Sequence, residues 1–297
     1  FTWVATVNAI LYQSATPVFC DIDINTFNID INKIESLITK KTKAIIPVHL
    51  FGLSADMDPI IEISKKHNLY IIEDCACGFN ARYKGIHVGN FGTTGCFSFH
   101  PRKAITTGEG GMITTNDNLL TEKLRAMRDH GATISDHNRH LTQKPYLLPD
   151  FPYLGYNYRM TDIQASIGIT QMNRASTIAE KRIQIAKQYN ENLKTIDWLK
   201  KPYQNQDYNH GYQSYVCLFE PEKITKDNVK LINSKRNEFM DYLQKNGIST
   251  RPGTHAVHML EYYRKRFNIR PDDYLNSYIA DNCSIALPLY PTLSSEE

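Results

Sequence analysis

The sequence predicts an α/β protein, with a mostly parallel sheet in the first part of the chain and a smaller C-terminal α+β domain. Three observations point there. Through the first 130 residues short apolar runs alternate with helical patterns of about ten residues, as in βαβ units with parallel pairing. A length of 297 residues suits about two domains. No uninterrupted apolar run approaches the ~20 residues of a membrane span.

The composition fits a soluble globular chain, with 41% hydrophobic and 22% charged residues. Thirty-four Lys+Arg against 31 Asp+Glu leave a formal charge of +3. That is too balanced for a dedicated nucleic-acid binder, which carries a basic stripe. The six cysteines, at 20, 75, 77, 96, 217 and 283, are too scattered for a disulfide scaffold and read as small thiols in a reducing compartment. Cys75-x-Cys77 is at most half a metal site, so no metal is expected. The start shows no charged leader with an apolar stretch, and a cytoplasmic protein is expected. The chain opens on Phe1, inside an element, and closes on PTLSSEE, a helix cap whose helix does not follow. It reads as cut at both ends.

In order, residues 17–21 (PVFCD) predict a strand and 31–38 a helix. Residues 43–50 (KAIIPVHL) predict a strand, then 57–67 a helix with apolar positions at 57, 60, 61 and 63. Strands follow at 69–73, 95–99 and 111–115, and a helix at 119–128. Residues 132–154 lack periodicity and hold Pro145, Pro149 and Pro152, which predicts a functional loop or interface arm. A helical pattern from 161 to 193 breaks near 173–176. A strand at 214–219, a helix at 229–246 stopped by Gly247 and a strand at 248–251 complete the smaller domain. Residues 1–176 are expected to form the large domain and 177–297 the small one.

Ligands of open parallel sheets sit beyond the carboxyl ends of the strands, and polar signals fall at such ends. Asp74 follows LYIIE, His49 closes KAIIPV, and Ser98 lies five residues before Lys103, which is followed by the Gly-rich turn TTGEGG. A lysine in such a turn can be an amine of lowered pKa fit for Schiff-base chemistry. A carboxylate at a neighbouring strand end is what pyridoxal phosphate (PLP) needs to keep its ring nitrogen protonated. Position alone favours a solvated surface lysine and a helix-capping aspartate.

The wider strings narrow this. SFHPRKAITTGEGGM, with IIEDCAC before it and GYNYRMTDIQASIG after it, resembles the DegT/DnrJ/StrS nucleotide-sugar aminotransferases, a fold-type I family using PLP. FTWVATVNAILY, PVFCDID, KAIIPVHLFG and IALPLYP match in the same order. The resemblance implies that Lys103 carries the cofactor as a Schiff base and moves the proton, and that Asp74 pairs with the ring nitrogen. It implies that Trp3 stacks on the ring, Ser98 holds the phosphate, and Cys77 lies where the family has Gln or His beside the cofactor's 3′ oxygen. Asn157 would reach the phosphate of a partner subunit, which implies a homodimer. His258, in RPGTHAVH, and His49 are candidates for the substrate side, each with a structural role equally open. Glu109 reads as a turn carboxylate and Arg159 as an ion-pair former.

The implied reaction takes an amino group from an amino acid, most often glutamate, to a keto sugar of a nucleotide-sugar, for surface polysaccharide or related amino-sugar synthesis. Cys77 and Ala104, where the family has Asn, depart from its pattern. The family's main phosphate-binding turn would lie roughly 20 residues before Trp3, ahead of Phe1, so this stretch is expected to hold PLP more weakly. Two alternatives stand beside the transaminase. One is a non-catalytic relative keeping fold and dimer surface; the other is a PLP-dependent sugar 3-dehydratase, which carries His where Lys103 stands.

Overall fold

The computed structural model describes residues 1–134, 139–141, 144 and 146–294. Parts of the 132–154 segment and of the last sequence-read turn therefore lie outside the described residues; 146–154 holds neither helix nor strand. In chain order the first half contains α1 (Val4–Tyr12), α2 (Ile31–Ile34), β1 (Ala44–Ile45), α3 (Met57–His67) and β2 (Tyr70–Asp74). Then come β3 (Arg82–Tyr83), β4 (Ile86–His87), β5 (Thr94–Ser98), β6 (Gly111–Thr114) and α4 (Asn118–Met127). The second half contains α5 (Asp162–Asn173), α6 (Ala175–Asn192), β7 (Leu199–Lys200), β8 (Tyr208–Asn209) and β9 (Tyr215–Phe219). It ends with α7 (Val229–Lys245), α8 (Glu261–Phe267), α9 (Leu275–Cys283) and β10 (Ser284–Leu287).

The central sheet has the order β1-β2-β5-β6. β1, β2 and β5 are parallel. β6 runs antiparallel to β5, because the connection between them contains no helix to carry a parallel crossover. A second sheet, β10-β9-β7, is antiparallel throughout. α3 covers β1 and β2 through Met57 and Ile60, both fully buried beside Ile45 and Ile71, each contributing about 1.5–3 kcal/mol of burial.

Four predicted elements differ, the first being the strand read at 43–50, which reduces to Ala44–Ile45 and one further bridge from Val48 to Asp74. Residues 17–21 form no strand, since Asp21 turns its carboxylate to the first turn of α9 and accepts from the backbone N–H of Asn276 and Ser277. Residues 248–251 reduce to one bridge, Arg251 with Ala286. The helix read at 31–38 stops at Ile34 and continues as a 3-10 turn, Glu35–Leu37. The long helical pattern breaks at Arg174, within the stretch read as a break. The largest core joins Ile22, Phe27, Leu50 and Phe51 to Val216, Leu218, Ile232 and Ile279.

Candidate active site

Alternation along β2 sends neighbouring acids to opposite faces. Glu73 turns inward and is fully buried. One of its oxygens accepts from Gly89 N (2.7 Å) and meets His49 Nε2 (3.0 Å). The other accepts from Phe91 N (2.8 Å) and Gly92 N (2.7 Å). Burial pushes the Glu73 carboxyl up, but His49 and these amides outweigh it and hold the pKa below the ordinary value. His49 Nδ1 accepts from Ala55 N at 3.1 Å. His49, Glu73 and Cys75 bring ligand atoms within 4.8 Å of one another. The histidine and carboxylate donors are already spent on these hydrogen bonds, which leaves a metal too few.

Asp74 turns to the other face, at the carboxyl end of the sheet. Its Oδ2 accepts from Thr6 Oγ1 at 2.7 Å and its Oδ1 from Ala76 N at 3.0 Å. Thr6 lies one turn along α1 from Trp3, so the two share a helix face. Trp3 is 59% exposed, and its ring lies 5.7 Å from that of His255. On the adjacent strand Ser98 ends β5, and its hydroxyl accepts weakly from His100 N at 3.4 Å.

Lys103 sits in the turn after β5, closed by its own N–H to His100 O at 2.9 Å. Its Nζ donates to Cys77 Sγ at 3.3 Å, in the turn after β2. A thiol sulfur is a weak acceptor, and this is the only side-chain hydrogen bond of the half-buried Lys103 amine among the described residues. The Gln213 amide brackets this lysine: its Oε1 accepts from Ala104 N at 2.9 Å and its Nε2 donates to Arg102 O at 2.8 Å. Gly211 makes that approach possible, because a Cβ there would stand 2.3 Å from Phe79 O.

The structure thus brings Trp3, Asp74, Cys77, Ser98 and Lys103 to one end of the sheet. It does not bring His49 or His258 there. As substrate contacts both are corrected: His49 is fully buried with both ring nitrogens engaged. His258 is buried against Tyr274, and burial pulls its pKa down to about 4. His255, three residues earlier in RPGTHAVH, is the exposed histidine beside Trp3. Thr6 had a signal in its i, i+3 spacing from Trp3; Gln213, more than a hundred positions from Lys103, had none. Asn157 is exposed and pairs by backbone with Asp129. Arg159 pairs with Asp129 at 2.6 Å, and Glu109 is exposed. A surface concavity of about 520 Å³ beside Lys43 and His67 opens at the opposite ends of β1 and β2 and holds none of these groups.

A weakly bonded amine and a strand-end carboxylate fit PLP: Lys103 would hold its aldehyde carbon, Asp74 its ring nitrogen, Trp3 its ring face and Ser98 its phosphate. With the fold, this defines a PLP-dependent aminotransferase of fold type I. The chain belongs to the DegT/DnrJ/EryC1/StrS aminotransferase family, whose profile matches residues 1–297. It is 36% identical over 299 residues to the GDP-perosamine synthase of Escherichia coli O157:H7, covering 100% of this chain and 74% of that one. It is 34% identical over 297 residues to the spore coat polysaccharide biosynthesis protein SpsC of Bacillus subtilis, covering 100% and 74%. Among solved structures it resembles Helicobacter pylori PseC, an aminotransferase involved in the biosynthesis of pseudoaminic acid. The TM-score is 0.87 at 27% identity, over 99% of this chain and 74% of that one. Among the described residues no helix is long and apolar enough to cross a membrane.

Proposed function

We propose that the chain moves an amino group from an amino acid, glutamate by preference, to the ketone of a nucleotide-linked sugar in surface polysaccharide or related amino-sugar synthesis. The observation that carries this reading is the Lys103 amine, paired among the described residues only with Cys77 and facing the turn that follows Asp74. The amino-sugar chemistry of the relatives supports the substrate class. When bound, PLP supplies an electron-accepting ring and a carbon that stores the amino group between half-reactions. Lys103 Nζ takes the proton from the donor's α-carbon and delivers one to the sugar carbon that receives the amine. Asp74 holds a proton at the ring nitrogen, and Thr6 fixes the orientation of that carboxylate. Trp3 would cover the ring, Cys77 would lie at its edge, and Ser98 would donate to the phosphate.

Asn157 is proposed to reach the phosphate of a second copy, making a homodimer. The surface around it supports this: α5 buries no residue, Ile163 and Ile169 lie open on it, and the exposed Tyr158 stacks on Tyr156 at 4.8 Å. Domains of residues 1–176 and 177–297 go with this reading, the division falling two residues past the helix break at Arg174. A cytoplasmic location goes with this reading.

The test is to load the chain with PLP and supply glutamate with a nucleotide-linked 4-keto sugar. Aminated sugar nucleotide and 2-oxoglutarate should appear in equal amounts; glutamate consumption without an aminated sugar would overturn the substrate. Gln213→Leu, which frees the backbone on both sides of Lys103, is expected to lower kcat about tenfold to a hundredfold. Steady-state kinetics beside thermal melting will separate that loss from one of stability.

A further inference from the structure

Behind the Lys103 turn lies a second cavity, of about 220 Å³, lined by Arg102, Arg182 and Arg251 together with Ser214, Ser249 and Thr250. No carboxylate lines it, and none of the three guanidiniums is in an ion pair among the described residues. Arg182 is 7% exposed. Its Nη1 is fixed by the carbonyls of Tyr212, Gln213 and Leu289 at 3.2, 3.3 and 3.4 Å. These neutral acceptors orient the fork without neutralising it. Two buried polar atoms without partners among the described residues, Arg182 Nε and Thr250 Oγ1, belong to side chains of this same lining. Burial alone lowers the pKa of Arg182, with no acidic group opposing it. A buried cation without a counter-ion is costly, and a planar guanidinium matches a carboxylate or phosphate through paired hydrogen bonds.

We propose that this cavity is an oxyanion site that takes a carboxylate or phosphate group. The assignment stands on charge, burial and unpartnered donors and does not need the aminotransferase reading. Its position ties it to the Lys103 turn: Arg102 precedes the lysine, and Gln213, which brackets it, also lines the cavity.

The experiment titrates PLP-loaded protein with glutarate and, separately, with inorganic phosphate, by calorimetry. Glutarate has no amine and is not turned over, and inorganic phosphate is added only to protein already saturated with PLP. Saturable binding of either probe is expected, weakened about tenfold or more in Arg251→Gln and in Arg102→Gln. Glutarate alone would identify a carboxylate ligand, and phosphate alone a phosphorylated one. Arg182→Met should remove binding; because that residue is buried and its variant can fail to fold, the two exposed arginines keep the test decisive. No saturable binding of either probe, or binding unchanged in both exposed variants, overturns the proposal.

Discussion

Replacing Lys103 with alanine is expected to cost at least about a thousandfold in turnover. It should also remove the covalent PLP adduct that borohydride reduction leaves on the wild-type chain. The two readouts belong together because one amine is asked to hold the cofactor and to carry the proton. Stability should change little, within about 1 kcal/mol, since Lys103 is half-buried and its side chain bonds, among the described residues, only to Cys77. Peptide mass spectrometry after reduction locates the adduct. An adduct at another lysine, or turnover that survives the substitution, would sink the assignment and favour a relative that keeps the fold without this chemistry.

The largest loss of stability is expected at Glu73. Alanine there strands His49 and the amides of Gly89, Phe91 and Gly92 in a dry interior, which costs about 3–5 kcal/mol. Urea denaturation measures it directly. The same group sets a pH dependence. Folding holds its carboxyl below the ordinary 4.5, so its contribution is complete above that pH and is lost as pH falls through the lower folded-state value. Unfolding midpoints followed from about pH 6 to about pH 3 should drop less steeply in Glu73→Gln than in the wild type. Some acid sensitivity will remain, because Asp21 is also held below its ordinary value. Burial opposes that shift, but the Ser277 hydroxyl and three amides outweigh it.

Where the sequence was legible, the determinants were local. The helix Met57–His67 appears with the ends its pattern predicted, bounded by Asp56 and by Asn68 in the left-handed conformation. The strands bearing Asp74 and Ser98 appear within a residue of their expected ends because short apolar runs terminate there. Failures came where a distant partner decides. Residues 17–21 have a strand's composition, yet Asp21 serves α9 near the other end of the chain. His49 looked like a strand-end ligand until Glu73, on the same inner face of the neighbouring strand, took its Nε2. Gln213 reaches Lys103 through a backbone approach that no periodicity records.

The bonds from Asn276 and Ser277 to Asp21 span 255 and 256 positions, and the largest core spans a similar distance. Loop closure over that span is not prohibitive, since each doubling of length adds only ~0.6 kcal/mol, but contacts so remote in sequence slow the search. On a ribosome the early segment around Phe27 and Phe51 emerges long before the residues that bury it. During that interval its apolar surface stays exposed, which makes the nascent chain a client for chaperones and prone to aggregate when synthesis outruns folding.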